Sequence, residues 1–176
     1  MSGIEKAAEA LSRRGLSICI TGIDGCGKTT LSTQLASAML DAGIPVRRLH
    51  IYRWYQNFFV TPMVIIYNRL IGRRVLIFDR TIYDNLIVAG VASPWLRPHL
   101  AGFFRMLRFF YPAFDLRYYL HVPYDETVRR RPDTIRKRFR LLENGYGVML
   151  ESSRWHVFET DRDIFDDAVD ALNADL

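Results

Sequence analysis

Residues 16–30 read Leu16-Ser-Ile-Cys-Ile-Thr-Gly22-Ile-Asp24-Gly25-Cys26-Gly27-Lys28-Thr29-Thr30, and they decide the fold. Ser17–Thr21 is a short apolar run of strand character. Thr29–Ala42 follows with Leu31, Leu35, Met39 and Ala42 at helical spacing, and Gly43 is placed to stop that helix. Between the two, Gly22 to Thr29 fits G-x-x-x-x-G-K-[ST]. A glycine-rich turn from strand to helix lets backbone N–H groups converge on phosphate oxygens, and the helix N-terminus adds partial positive charge. The motif predicts a phosphate loop made of Gly22, Asp24, Gly25, Cys26, Gly27, Lys28, Thr29 and Thr30. Its chemistry calls for ATP and Mg²⁺, with Lys28 across the β- and γ-phosphates and the Thr29 hydroxyl on the metal. Cys26 is expected to be a small loop residue rather than a redox centre.

Outward from this loop, strand and helix patterns alternate. Val46–Tyr52, Val75–Phe78, Leu116–Val122 and Trp155–Glu159 read as strands. Thr61-Pro62 reads as an N-cap followed by proline, opening a helix to about Ile71. Further helices are expected near 82–91 and 95–110, over a basic stretch at about 124–152, and at the end, where Ile164, Phe165, Ala168, Val169 and Leu172 share a face. Residues 1–15 read as a polar helix or a frayed end. The pattern predicts an α/β fold of the P-loop NTPase type, three-layered, with a five-stranded mostly parallel sheet and helices on both faces. Ligands are expected at the carboxyl ends of the strands. With 176 residues and no repeat or linker, one domain over 1–176 is expected.

Composition narrows the function less. The chain is 49% hydrophobic, too apolar for disorder, and has no apolar run of the roughly 20 residues that span a bilayer. Met1-Ser-Gly-Ile-Glu-Lys-Ala-Ala lacks the apolar core of a secretory signal, so a cytoplasmic location is expected. Cys19 and Cys26 make no disulfide framework, and the four histidines have no zinc spacing. Net charge is +5, from 21 arginines and three lysines against 19 acids. That excess alone does not choose among nucleic acid, anionic lipid, a phosphorylated small molecule and a mere arginine bias of the proteome.

Val75-Leu-Ile-Phe-Asp79-Arg80 ends a strand in Asp-Arg, and no Asn-Lys-x-Asp guanine motif is present. Together with Gly22-Ile-Asp24-Gly25-Cys-Gly27-Lys28-Thr29-Thr30, Pro112-Ala-Phe-Asp115-Leu116, Glu143-Asn-Gly-Tyr146 and Trp155-His-Val-Phe-Glu-Thr160-Asp161, the chain resembles the thymidylate kinase family over most of 16–172. The resemblance implies an ATP-dependent nucleoside monophosphate kinase that often dimerises, here a homodimer. It implies that Asp79 orients Mg²⁺-bound water or the acceptor, that Arg80 and Arg53 hold the acceptor phosphate, that Asp24 faces the acceptor cleft, and that Tyr83 either faces that cleft or belongs equally to the core. It also implies a lid at about 129–141, with Arg130, Arg136 and Arg138 closing on the charge that spreads over oxygens in phosphoryl transfer. The departures fall in the acceptor region. Tyr52-Arg53-Trp54-Tyr55-Gln56 stands where the family has Arg-Glu-Pro-Gly, Thr81 stands where it has tyrosine, and Gly25 stands where some members place an arginine.

No carboxylate follows the second strand, where deoxynucleoside kinases keep a base. A phosphate acceptor is therefore expected over a hydroxyl one, for which Asp24 and Asp79 would be the bases. The competing reading is a nucleotide-binding regulator or nucleic-acid-associated ATPase, although nucleic acid is not the expected partner. The aromatic residues around 54–59 and 95–111 are expected to be core first and an acceptor pocket second, with dimer contacts or membrane adhesion, for which Arg97, Arg105 and Arg108 speak, as the remaining readings.

Overall fold

The computed structural model describes residues 15–51, 53, 55–110, 114–160 and 164–175. The expected opening helix, Tyr52, Trp54, Tyr111, Pro112 and Asp161 lie outside the described residues. β1 (Leu16–Gly22) is buried along its whole length, as befits a parallel strand covered on both faces. β2 (Val46–His50), β3 (Val75–Asp79), β4 (Leu116–His121) and β5 (His156–Glu159) join it in the order β2-β3-β1-β4-β5, and every pair is parallel. This is the five-stranded α/β sheet the sequence predicts. Ile18, Ile20, Ile77 and Leu120 form its interior.

α1 (Lys28–Asp41) packs on β1, β2 and β3, beside the last helix α7 (Phe165–Asp175). Across the sheet, α3 (Ile82–Ala92) and α4 (Leu100–Phe110) pack against the long α6 (Arg136–Ser152). The return from β2 to β3 carries a continuous helical stretch over 55–72. Its middle, α2 (Thr61–Tyr67), is flanked by π-helical turns at Gln56–Val60 and Asn68–Gly72. Asp115 accepts from the Ser17 N–H (2.8 Å) and hydroxyl (2.7 Å) and pairs with Arg69 (3.1 Å), clamping β1 to β4 at the end of the sheet away from the loop.

Three local expectations are corrected. Thr61 is not an N-cap: helical backbone begins earlier, and Thr61 is buried inside it. Pro62 lacks an N–H for the preceding turn, and the wide π-turn before it accommodates that loss. The expected helix over 124–152 is two helices, α5 (Tyr124–Arg130) and α6, because Pro132 disfavours helical backbone at Arg131. A turn closes there, with Thr134 N donating to the Arg131 carbonyl at 3.1 Å. Pro94–His99, which contains Pro98, is a 3₁₀ segment rather than part of α4. The aromatic segments also divide. Phe104 is core, whereas Phe58, Phe59 and Trp95 are exposed.

Candidate active site

The carboxyl ends of β1, β2 and β3 meet at one cleft. Gly22 leaves β1 with φ +148°, and a Cβ there would lie 2.5 Å from the Leu120 carbonyl, so only glycine fits the turn. Gly27 caps α1 with φ +94°, no side chain caps the helix, and its first turn holds no acid. The N-terminal N–H groups of α1 are thus left to an anion. Lys28 is buried. Its Nζ donates to the carbonyls of Gly22 (2.7 Å) and Ile23 (2.9 Å) and lies 3.8 Å from Asp24.

β3 delivers Asp79 beside this loop. Its Oδ2 accepts from the Thr29 hydroxyl at 3.0 Å and lies 3.1 Å from His50 Nδ1, whose residue is its register partner on β2. Its Oδ1 is buried and has no hydrogen-bond partner among the described residues. A buried carboxylate oxygen with no partner, beside a threonine hydroxyl, fits the oxygen donor set of Mg²⁺, which takes one or two protein oxygens and completes its shell from phosphates and water. Arg80 follows with φ +75°, and its Nη2 lies 2.6 Å from Asp24 Oδ1. Asp24, Gly25, Gly27, Lys28, Thr29, Thr30, His50, Asp79, Arg80 and Arg131 together line a cavity of about 270 Å³.

Geometry sorts the arginines of the run from Arg129 to Arg140. Arg130 donates to the carbonyls of Gly25 (3.1 Å) and Thr160 (2.9 Å) and is held by Glu126 (2.6 Å). It borders a second cavity of about 440 Å³ with Gly27, Thr30, Gln34 and Ile164. Arg138 and Arg131 line a third, of about 120 Å³, with Ile23 and Asp24. Arg136 stacks over the Tyr124 ring at 5.2 Å and does not line these three cavities. Arg53 is exposed, with its Nη1 2.9 Å from the Tyr55 hydroxyl, and does not line the three cavities. Of the two places open to Tyr83, the acceptor cleft and the core, it takes the core. It sits on the inward side of α3, buried against Phe104 and Trp155, with ring centroids 5.9 and 5.2 Å away.

Several residues of the site went unread in the sequence. Arg131 was hidden among its neighbours in the run, and only Pro132, which ends α5, marks it. His50 had no motif around it. Asp84 is buried at the start of α3, where Thr81-x-x-Asp84 forms a capping box. Its carboxylate accepts from the Thr81 N–H (2.8 Å) and the Thr21 hydroxyl. The Tyr146 hydroxyl lies 2.8 Å from Asp84 and 3.0 Å from the Gly22 carbonyl, so α3 and α6 brace the base of the phosphate loop. Burial, then the charge of Asp84, pushes the Tyr146 phenol well above its ordinary range. Burial likewise pushes up the Cys26 thiol despite nearby Lys28, which leaves it neutral as a small loop residue should be.

The fold has counterparts among solved structures. Polyphosphate kinase 2 from Arthrobacter aurescens TC1 superposes with a TM-score of 0.63 at 15% identity, over 98% of this chain and 74% of that one. Deoxyadenosine kinase from M. mycoides, solved with bound dATP, superposes with a TM-score of 0.54 at 17% identity, over 90% of this chain and 99% of that one. Both neighbours are kinases, and the chain shares their fold. At these identities the likeness is one of fold. No family model and no curated protein matches the chain.

Proposed function

We propose that this chain is an ATP-dependent phosphotransferase that moves the γ-phosphate of ATP to the phosphate of a small acceptor, a nucleoside monophosphate in the thymidylate kinase-like reading. The observation that carries the proposal is the cleft in which Lys28, Thr29, Asp79, Arg80 and Arg131 converge at the mouth of the phosphate loop. The loop N–H groups and Lys28 bind the β- and γ-phosphates, so Lys28 must leave its carbonyl partners as the phosphates arrive. Thr29 and Asp79 would hold Mg²⁺, which would supply charge neutralisation at the phosphates. The larger cavity, beside Arg130 and Thr160, suits the nucleoside of ATP. On the other side of the loop, Arg80, Arg131 and Arg138 face the acceptor. Positioning and fixed positive charge supply the rate.

A phosphate acceptor is supported by the arginines lining the acceptor side and by the ion pair that ties Asp24 to Arg80. A phosphate oxygen needs no general base. The second reading, a hydroxyl acceptor such as a deoxynucleoside, is favoured by one observation. The Asp24 side chain is 47% exposed at the cleft, where a base for a hydroxyl proton would stand.

Incubation with ATP-Mg²⁺ and a panel of nucleoside monophosphates, nucleosides, short polyphosphates and sugars, followed by ADP release, tests both. Turnover with a monophosphate is expected. Turnover with nucleosides alone moves the assignment to the second reading. Release of ADP with none of them, or only with added DNA or RNA, overturns the kinase proposal.

A further inference from the structure

The helical stretch 56–72 is built inside out. Its buried positions are Asn57, Thr61, Ile65 and Asn68, which fall at helical spacing toward the sheet. Three of these four are polar, and each is hydrogen-bonded. Asn57 Nδ2 lies 3.4 Å from the Ile51 carbonyl, and the Thr61 hydroxyl lies 3.3 Å from Asn57 Oδ1. Asn68 donates to the Arg74 carbonyl at 2.7 Å and accepts from the Arg74 N–H at 3.0 Å. The outward face carries Phe59, Met63, Ile66, Tyr67, Leu70 and Ile71, with Met63 and Leu70 each 71% exposed. A surface helix of a soluble domain has the opposite polarity. A contiguous exposed apolar face of this kind marks an interaction surface.

Charge identifies the occupant. From Ala42 to Phe78 the chain has six arginines and no acidic residue. Arg53 precedes the apolar face, and Arg73 and Arg74 follow it, all three exposed, so both of its ends are cationic. Arg69, on the same helix, is paired with Asp115 at 3.1 Å. A two-fold contact with a second copy would set this basic rim against itself. An apolar band with arginines at its ends instead suits an anionic bilayer interface, in which the side chains enter the acyl boundary and the guanidinium groups meet headgroup phosphates. No helix among the described residues is long and apolar enough to cross a membrane, so the contact lies in the membrane plane.

We propose that the outward face of 56–72 docks this chain on the surface of a membrane rich in anionic phospholipid. The inference is independent of the phosphotransfer reading. Co-sedimentation of the full chain with phosphatidylcholine vesicles, with and without roughly 30% phosphatidylglycerol, tests it. Binding to the anionic vesicles is expected to exceed binding to the neutral ones by about tenfold or more. Met63→Ser with Leu70→Ser, and separately Arg73→Glu with Arg74→Glu, are each expected to lower it by about tenfold or more, with unchanged melting curves because these positions are exposed. A parent chain that binds neither vesicle overturns the proposal, as does binding that both double variants leave intact. A dimer in sedimentation that the Met63→Ser, Leu70→Ser pair dissociates, with no vesicle binding, assigns the face to a second copy and overturns it too.

Discussion

Arg80 Nη2 lies 2.6 Å from Asp24 Oδ1, tying the residue after β3 to the phosphate loop after β1. Arg80 holds that position from left-handed backbone, φ +75°, which an L residue adopts at a cost of about 1–2 kcal/mol. The side chains are 32% and 47% exposed, so the pair itself adds at most about 1 kcal/mol to stability. Strain is maintained at this point, and the geometry gained is that of the cleft.

Arg80→Gly and Arg80→Ala separate the two effects. Both are expected to lower turnover by about 10²-fold or more, mainly through acceptor handling rather than ATP affinity. Glycine relieves the backbone and alanine does not, so Arg80→Gly is expected to melt above Arg80→Ala. Thermal melts and ADP release measure the two. Equal loss of ATP and acceptor binding would move Arg80 out of the acceptor side.

Lys28 gives a second test. Its Nζ satisfies the Gly22 and Ile23 carbonyls, at 2.7 and 2.9 Å, when no phosphate is present. Lys28→Ala leaves both carbonyls short of a donor, and a stability loss of about 1–3 kcal/mol is expected with a still cooperative transition. Turnover is expected to fall by about 10³-fold or more, read as ADP release at saturating ATP. Retained turnover would contradict the phosphate loop assignment.

What could be read beforehand follows from how local each signal is. The loop is contiguous, Gly22 to Thr29, and its glycines, lysine and threonine are demanded by backbone geometry and phosphate chemistry, so sequence alone placed it. Strands β1 and β3 are continuous apolar runs for the same local reason. Arg136 and Arg131 show where this stops. Both sit in one arginine run, yet a ring on α5 draws Arg136 away, and the break at Pro132 turns Arg131 toward Gly25. Those outcomes depend on contacts remote in sequence. The Thr21–Asp84–Tyr146 brace joins residues 62 or more positions apart and has no sequence period to reveal it.

The two cleft arginines at the end of α5 should differ in what they change. Arg130 grips the carbonyls of Gly25 and Thr160 beside the larger cavity, whereas Arg131 lines the cavity shared by Asp24, Asp79 and Arg80. Arg130→Ala is therefore expected to raise the KM for ATP several-fold with a smaller change in kcat. Arg131→Ala is expected to lower kcat by about 10²-fold with little change in the KM for ATP. Initial rates over a grid of both substrates measure the split. The reverse pattern would exchange the two roles.

Buried phenol and thiol groups set an alkaline limit to stability. The Cys26 thiol and the Tyr146 phenol, ordinarily at 9.0 and 10.0, are both pushed up by burial. Above about pH 9 the unfolded chain releases these protons while the folded chain keeps them. The native state then binds more protons, so stability falls as pH rises; the contribution is fully present below about pH 9 and is lost progressively above it. Urea unfolding midpoints are expected to stay level with respect to these groups from pH 7 to about pH 9 and to decline toward pH 11. Tyr146→Phe removes one of the titrations together with the hydroxyl that lies 2.8 Å from Asp84 and 3.0 Å from the Gly22 carbonyl. It is expected to be less stable than the parent at pH 7 by about 1–3 kcal/mol, with a shallower alkaline decline. An equal decline in parent and variant would show that Tyr146 does not stay protonated in the folded chain. In that case the brace beneath the phosphate loop would have to be redrawn with a phenolate accepting from Thr21 rather than a phenol donating to Asp84.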